Sequence, residues 1–402
     1  MQSLKELFRI GPGPSSSHTL GPQRAALMFR ETFPEAHAYD VDLFGSLSLT
    51  GKGHMSDKAI IEALQPIPCA VHFKSGENLK HPNTMTFTAL DAHREPIVSW
   101  TFYSLGGGAI AVEGREALEG EEIYPHNTLK EIRAYCESEG ISLCDYVDRF
   151  ELIDDYLTDI LLQMCTTVDN GLNTRGLLPG KLKLERIGRK LLDKANLCES
   201  AMEKEKLLLS AYAYSASEEN AAGGMTVTAP TLGSSGVLPS LIYYYYYDRK
   251  LQREALIRGL KIAGLIGNLI KQNATISGAQ GGCQAEIGAA CAMGAAMVAY
   301  LRGLSDHQIE YAAEMGIEHH LGLTCDPVGG YVMIPCIERN AIAALRALDA
   351  AVLSEFISKV KQNRVSFDMV VKTMNETGRK LPMELRETSL GGLASVVEVE
   401  PC

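Results

Sequence analysis

The sequence predicts an α+β N-terminal domain followed by an all-α domain, and three observations carry that division. Short segments of alternating apolar and polar residues are confined to the first hundred or so positions, long 3.6-residue periods fill the rest, and an acidic, Gly- and Pro-punctuated stretch, EGREALEGEEIYPHN, lies between them. The expected domains are residues 1–125 and 126–402. A chain of 402 residues, 46% hydrophobic and 22% charged, is long enough for two cores.

Taken in order, the chain opens on MQSLKELFR, an amphipathic and charged start unlike the apolar stretch of a signal peptide, which predicts a cytoplasmic protein. GPGPSSSHT, Gly11 to Thr19, follows. Its glycines suggest a phosphate grip, but a P-loop ends in Lys followed by Ser or Thr, and here Ser17, His18 and Thr19 hold that place. A ligand smaller than a nucleotide is expected, against the plainer reading of a proline-rich lead-in with a capping serine. A helix is predicted over Gln23 to Thr32, then strands at AYDVDLFGSLS, PCAVHFKS, NTMTFTAL and PIVSWTFYSL, the last running into Gly106, Gly107 and Gly108.

From about Leu129, helical periods dominate, as in LKEIRAYCESEG, ELIDDYLTDILLQMCTTVDNG and LQREALIRGLKIAGLIGNLIKQNA. Tyr243 to Tyr247 read as amphipathic rings around a helix at an interface. The most apolar run, Ile287 to Leu301, is too short and too rich in Ala and Gly to span a bilayer and reads as a buried helix. A formal net charge of −11 without a basic run argues against nucleic acid or an anionic membrane as partner. Small molecules remain.

Glycine-rich breaks interrupt the helical part: GLNTRGLLPG, ENAAGG, APTLGSSG, ISGAQGGCQAEIG, EHHLGLTCDPVGG, IPCIERNA and RETSLGGLA. Each costs helix stability, about 1 kcal/mol per interior Gly, so together they suggest loops converging on a ligand. Three carry a cysteine on a Gly- or Pro-bounded turn: Cys283, Cys325 and Cys336. Their spacings lack the tight CxxC pattern of zinc ribbons, so buried thiols and a metal site both stand as readings. The ten cysteines of the chain show no disulfide framework, and Cys291, among alanines, reads as core.

These stretches, with DLFGSLSLTGKGH, in this order and over nearly the whole chain, resemble the bacterial iron-sulfur-dependent L-serine dehydratase (L-serine ammonia-lyase) family, in the form with both parts fused. The resemblance implies an N-terminal domain similar to an allosteric substrate-binding domain and a helical domain holding a [4Fe-4S] cluster. Cys283, Cys325 and Cys336 match the family's ligand positions, whereas the loop after APT carries Ser234 and Ser235 where relatives have a cysteine. There is no room for a separate ACT-type domain. Cys402, at the end of VEVEPC, matches members whose terminal cysteine acts as a displaceable fourth ligand, so a self-inhibiting tail is expected.

The implied reaction converts L-serine to aminoacrylate and on to pyruvate and ammonia, the open iron acting as Lewis acid on the β-hydroxyl. A base must face the Cα–H. His18 and His54 lie in glycine-flanked loops, and His54 is expected to be that base, with His18, Ser15, Ser16, Ser17 and Thr19 cradling the substrate carboxylate. Asn220, Ser277, Arg339 and Asn340 match family motif positions without an assignable role, and His319 and His320 are expected at most to order the cluster from outside. L-Cysteine desulfidation by the same iron is the alternative chemistry. A pyridoxal-phosphate enzyme using TLGSSG, and a non-catalytic metabolite sensor, are the competing classes. The expected partners are L-serine and a second copy of the chain in a homodimer, with no nucleic acid and no membrane.

Overall fold

The structure, a computed structural model, describes residues 1–115 and 120–399. Its first part contains β1 (Ile10–Pro12), a tight helical turn (Ser16–Leu20), α1 (Gly21–Thr32), β2 (Ala38–Gly45), α2 (Ser46–Thr50), α3 (Ser56–Leu64), β3 (Cys69–Phe73), β4 (Asn83–Leu90), β5 (Pro96–Gly106) and β6 (Ala109–Val112). A 5-stranded sheet runs β3-β2-β4-β5-β6, parallel between β2 and β3 and antiparallel elsewhere. Because side chains alternate across a strand, β2 sends Tyr39, Val41 and Leu43 inward, where Phe29 of α1, Ile60 of α3 and Phe87 and Phe102 of the sheet complete a separate core. The strand expected to run through Ser48 stops at Gly45. That residue takes φ +60°, and a Cβ there would lie 2.3 Å from the Pro82 carbonyl oxygen, so the chain turns into α2.

The second part is helical: α4 (Leu129–Glu139), α5 (Leu143–Phe150), α6 (Asp154–Asn173), α7 (Gly188–Asn196), α8 (Ala201–Ala221), β7 (Met225–Val227), α9 (Val237–Tyr243), α10 (Arg253–Asn273), α11 (Gly278–Gly281), α12 (Ile287–Leu301), α13 (Asp306–Glu318), α14 (Cys336–Ile357), α15 (Phe367–Lys380) and α16 (Leu393–Val396). Helix α12 sits at the centre against α10, α13 and α14, and its Ala, Gly and Met residues let neighbours come close. At Gly316 of α13 a Cβ would lie 2.7 Å from the Ala292 Cα. The one described segment long and apolar enough to cross a membrane, Cys283–Leu301, is thus an interior core element.

Two features had no local signal, and the tyrosine run takes a specific role. Met1, Leu4, Leu7 and Phe8 pack into the helical core, so the first residues of the chain belong to the second part's interior. β1 pairs antiparallel with β7, Ile10 opposite Val227, which stitches the two parts together beside GPGPSSSHT. The tyrosine run ends α9 and forms a tight helical turn, with Tyr243 donating to Asp169 (2.6 Å) and Tyr244 to Glu205 (2.6 Å). Its rings chiefly brace neighbouring helices.

Candidate active site

Loops from both parts close around one small cavity, lined by Ser15, His54, Gly233, Cys283, Glu286, Cys325, Pro327, Val332, Cys336 and Glu387. The strand pair places the first wall: Gly13 N–H donates to the Gly224 carbonyl (2.9 Å) and Asn220 Nδ2 to the Pro14 carbonyl (2.8 Å). Asn220 therefore stands behind the loop and holds it; it is not on the cavity wall.

The hydroxyls of GPGPSSSHT divide between scaffold and site. Ser15 Oγ caps the turn by accepting from His18 N–H (3.1 Å) and also reaches the cavity. The Ser17 hydroxyl donates to His18 Nδ1 (2.9 Å) and lies 3.5 Å from Glu387 Oε1. The Thr19 hydroxyl donates to the His54 carbonyl (2.6 Å), tying the two loops together. Ser16 is buried away from the cavity, and Ser277, whose buried hydroxyl has no partner among the described residues, packs under Gly106.

His18 and His54 stack with ring centroids 4.5 Å apart, and both are buried. The Ser46 hydroxyl donates to the Glu387 carbonyl (2.5 Å) and so accepts from His18 Nε2 (3.0 Å), which makes Nδ1 the unprotonated nitrogen of His18. His54 Nδ1 donates to the Thr50 carbonyl (2.9 Å), which leaves the Nε2 lone pair free, 3.8 Å from Glu387 Oε1. Burial holds His18 well below its ordinary pKa, the neighbouring His54 adding to the effect, and lowers His54 to about 4. Both are neutral bases at physiological pH. Burial, and then the negative charge of Cys283, raises Glu387 to about 8, so its contacts with the two imidazoles are not ion pairs at neutral pH. Glu387 Oε2 is buried without a partner.

The thiols form the opposite wall. Cys283 follows Gly282, whose φ of +72° turns the chain out of α11. Cys325 is held by a bridge in which its N–H donates to the Leu385 carbonyl (2.8 Å) and its carbonyl accepts from Glu387 N–H (2.7 Å), so one contact places both a thiol and a carboxyl. Cys336 is the first residue of α14. The hydrogen bond from Cys325 and the Arg339 guanidinium lower Cys283 to about 6, against the penalty of burial. Cys325 is held well above its ordinary value by its hydrogen bond to Cys283 and by burial, and Cys336 by burial and the Cys283 charge. One thiolate is therefore stable there, and a cationic metal core would allow all three to ionise, which is the donor set a cluster requires. Cys291 is fully buried in α12, away from the cavity.

Glu286 and Glu387 were not singled out in the sequence, although each is the acidic residue of a quoted motif, GCQAEIG and RETSLGGLA. Glu286 accepts from the Thr231 hydroxyl (2.8 Å), and burial followed by repulsion from Glu387 raises it well above the carboxylate range. Ligand atoms of Glu286, Cys325 and Glu387 lie within 4.8 Å of one another. Residues left without roles acquire them here. Arg339 donates to the Thr324 carbonyl (2.6 Å) beside the thiols, and Asn340 bonds Gly236 N–H and the Gly233 and Cys336 carbonyls, each at 2.9 Å, pinning the APTLGSSG loop to α14. Ser234 works inside that loop, bonded to Thr231 (3.1 Å). His319 and His320 donate to carbonyls of α13, at 2.9 and 2.7 Å, and do not line the cavity. Cys402 lies outside the described residues.

Comparison with known proteins gives two family matches: the serine dehydratase alpha chain over residues 79–394 and the serine dehydratase beta chain over residues 3–70. The chain is 38% identical to L-serine dehydratase 1 of Escherichia coli, with 100% of both chains covered. It is 38% identical to the L-serine dehydratase of Haemophilus influenzae, over 98% of this chain and 99% of that one, and 38% identical to that of Streptomyces coelicolor, over 98% of each.

Proposed function

From its place in the serine dehydratase family, to which the chain belongs with beta and alpha parts in one polypeptide, we infer an L-serine ammonia-lyase whose reaction runs in the chamber between those parts. The relatives, named L-serine dehydratase along their full length, favour serine dehydration over the alternative of L-cysteine desulfidation. The observation that carries the site is that His54, Ser15, Glu387 and three thiols from distant segments share one closed cavity.

Cys283, Cys325 and Cys336 are the proposed ligands of a [4Fe-4S] cluster, with Cys402 as a displaceable fourth. Such a cluster, when bound, supplies a Lewis acid for the departing β-hydroxyl. The chain's own residues do the rest. His54, neutral and with its Nε2 lone pair free, takes the Cα proton at that atom, which faces Glu387 Oε1 at 3.8 Å. Ser15 and the neighbouring backbone receive the carboxylate. Loss of the proton and of water leaves aminoacrylate, which tautomerises to the imine and is hydrolysed to pyruvate and ammonia. The proposed location is the cytoplasm. The proposed assembly is a homodimer, favoured by the exposed Leu353, Phe356 and Val360 at and just beyond the end of α14.

Anaerobically purified protein should form pyruvate from L-serine, and exposure to air or an iron chelator should abolish this together with the cluster's visible absorption. A protein carrying a full cluster that yields no pyruvate would sink this reading. Closure of the chamber can be tested at Gly53, where a Cβ would lie 2.4 Å from the Gly330 carbonyl oxygen of the facing loop. Gly53→Ala should push the His54 loop back and lower kcat by about tenfold or more, as for a displacement of roughly 1 Å. Iron content should be unchanged, since no thiol sits on that loop.

A further inference from the structure

Dehydration of L-serine in the chamber employs Ser15, His54 and the thiols, and leaves two residues of its wall, Glu286 and Glu387, without a task. The fold goes to some cost to hold both there. Glu387 takes φ +58°, in the left-handed region that residues bearing a Cβ avoid, and is kept in it by its N–H donating to the Cys325 carbonyl (2.7 Å). Its Oε2 is buried with no partner among the described residues. Glu286, the residue before α12, is given room by two glycines: a Cβ at Gly278 would lie 2.6 Å from its Oε2, and one at Gly233 would lie 3.1 Å from its Oε1. Oε1 accepts from the Thr231 hydroxyl (2.8 Å), and Oε2 lies 3.8 Å from the Cys325 sulfur. One oxygen of each carboxyl and that sulfur lie within 4.8 Å of one another. Acidic groups this close repel, and the described lining holds no Lys or Arg to offset them.

We propose that Glu286 and Glu387 are the receptor for the α-ammonium of L-serine, and so decide that the site takes an α-amino acid and not the α-hydroxy acid of the same shape. This rests on the lyase reading of the chamber. The ammonium is the one cation the substrate brings, and between the two carboxyls it supplies the positive charge that the lining lacks. Its position follows from the proton transfer. With His54 Nε2 taking the Cα proton, Cα stands about 3 Å from that nitrogen. The amino nitrogen, about 1.5 Å from Cα, then falls within reach of Glu387, whose Oε1 is 3.8 Å from the same Nε2. An ammonium offers three N–H donors, and the open acceptors are the unpartnered Glu387 Oε2 and Glu286 Oε2, whose bond is with a weak thiol donor. Ser15, on another segment, is left to the carboxylate, so the two ends of the zwitterion are held by different walls. A hydroxyl in place of the ammonium brings one donor and no charge. It would leave the acidic pair desolvated and uncompensated, which is how a site built around a substrate N–H group rejects the analogue lacking it.

The probe is L-glycerate, which carries a hydroxyl where L-serine carries the ammonium. Calorimetry on the anaerobically purified His54→Ala full chain, where binding is read apart from turnover, should show L-serine bound about 100-fold or more tighter than L-glycerate. On that background Glu286→Gln and Glu387→Gln should each weaken L-serine by about tenfold or more, the usual cost of losing a charged hydrogen bond, while leaving L-glycerate and the iron content nearly unchanged. In the enzyme with His54 intact, each substitution should raise KM for L-serine by more than it lowers kcat. The contrast between the two ligands is the readout that a merely structural role would not move, since a deformed chamber weakens both, and either variant carries the test if the other does not fold. The proposal is overturned if the Gln variants keep the original preference for L-serine over L-glycerate, or if they weaken the two ligands alike. L-Serine that binds with the expected preference and yet yields no pyruvate would count against the lyase reading alone.

Discussion

Cys283→Ala should leave the chain unable to retain iron, taking it from roughly four irons per chain to near none, and should bring pyruvate formation from L-serine to background. Cys283 is the thiol held lowest of the three, at about 6, so it is the thiolate most available to capture iron at neutral pH. Without it two buried thiols remain, Cys325 still bonded to Glu286 (3.8 Å), and burial continues to disfavour their ionised forms. Iron assay and visible absorption after anaerobic reconstitution measure the outcome. Cys291→Ala is the control: it removes an interior thiol of α12 that does not line the cavity, and should keep both iron and turnover. A Cys283, Cys325 or Cys336 variant that retains a full cluster would disprove the ligand assignment.

His54→Ala should lower kcat by about 10²–10⁴-fold, the usual contribution of a positioned general base, with iron content and the cluster spectrum unchanged. The separation is expected because the His54 side chain bonds the Thr50 carbonyl within its own segment and the thiols are held elsewhere, by the 385–387 bridge, Gly282 and the start of α14. Exchange of the Cα proton of serine with solvent, followed by NMR, gives a readout that a merely structural role would leave alone. Normal exchange and turnover in this variant would move the base to another residue.

How much of this was legible beforehand depended on the range of the interaction involved. The alternation of Tyr39, Val41 and Leu43 and the periods of α6 and α10 are local patterns, and they gave the element types directly. β1 and β7 are three residues each, too short for any period, and exist because they pair with one another across 212 or more intervening positions of chain, Pro12 meeting Met225 at the nearest. Glu387 was invisible for a similar reason. In sequence it is one acid among many; only burial and the bridge to Cys325 make it a neutral carboxyl facing His54.

By itself the sequence determined the two-part architecture, the loops that converge on the chamber and, through its long motifs, the family. Those follow from residue type and short-range spacing, which the linear chain records in full. Tertiary structure decided which members of each motif reach the chamber: Ser15 but not Ser16, Cys283 but not Cys291, Glu387 on its wall with Asn220 behind the loop. It also decided protonation, making His54 a neutral base with a defined free nitrogen. The physical reason is that a side chain's exposure and pKa are set by groups far away in the chain, brought within a few ångströms only when both cores have formed and their loops have closed on one another.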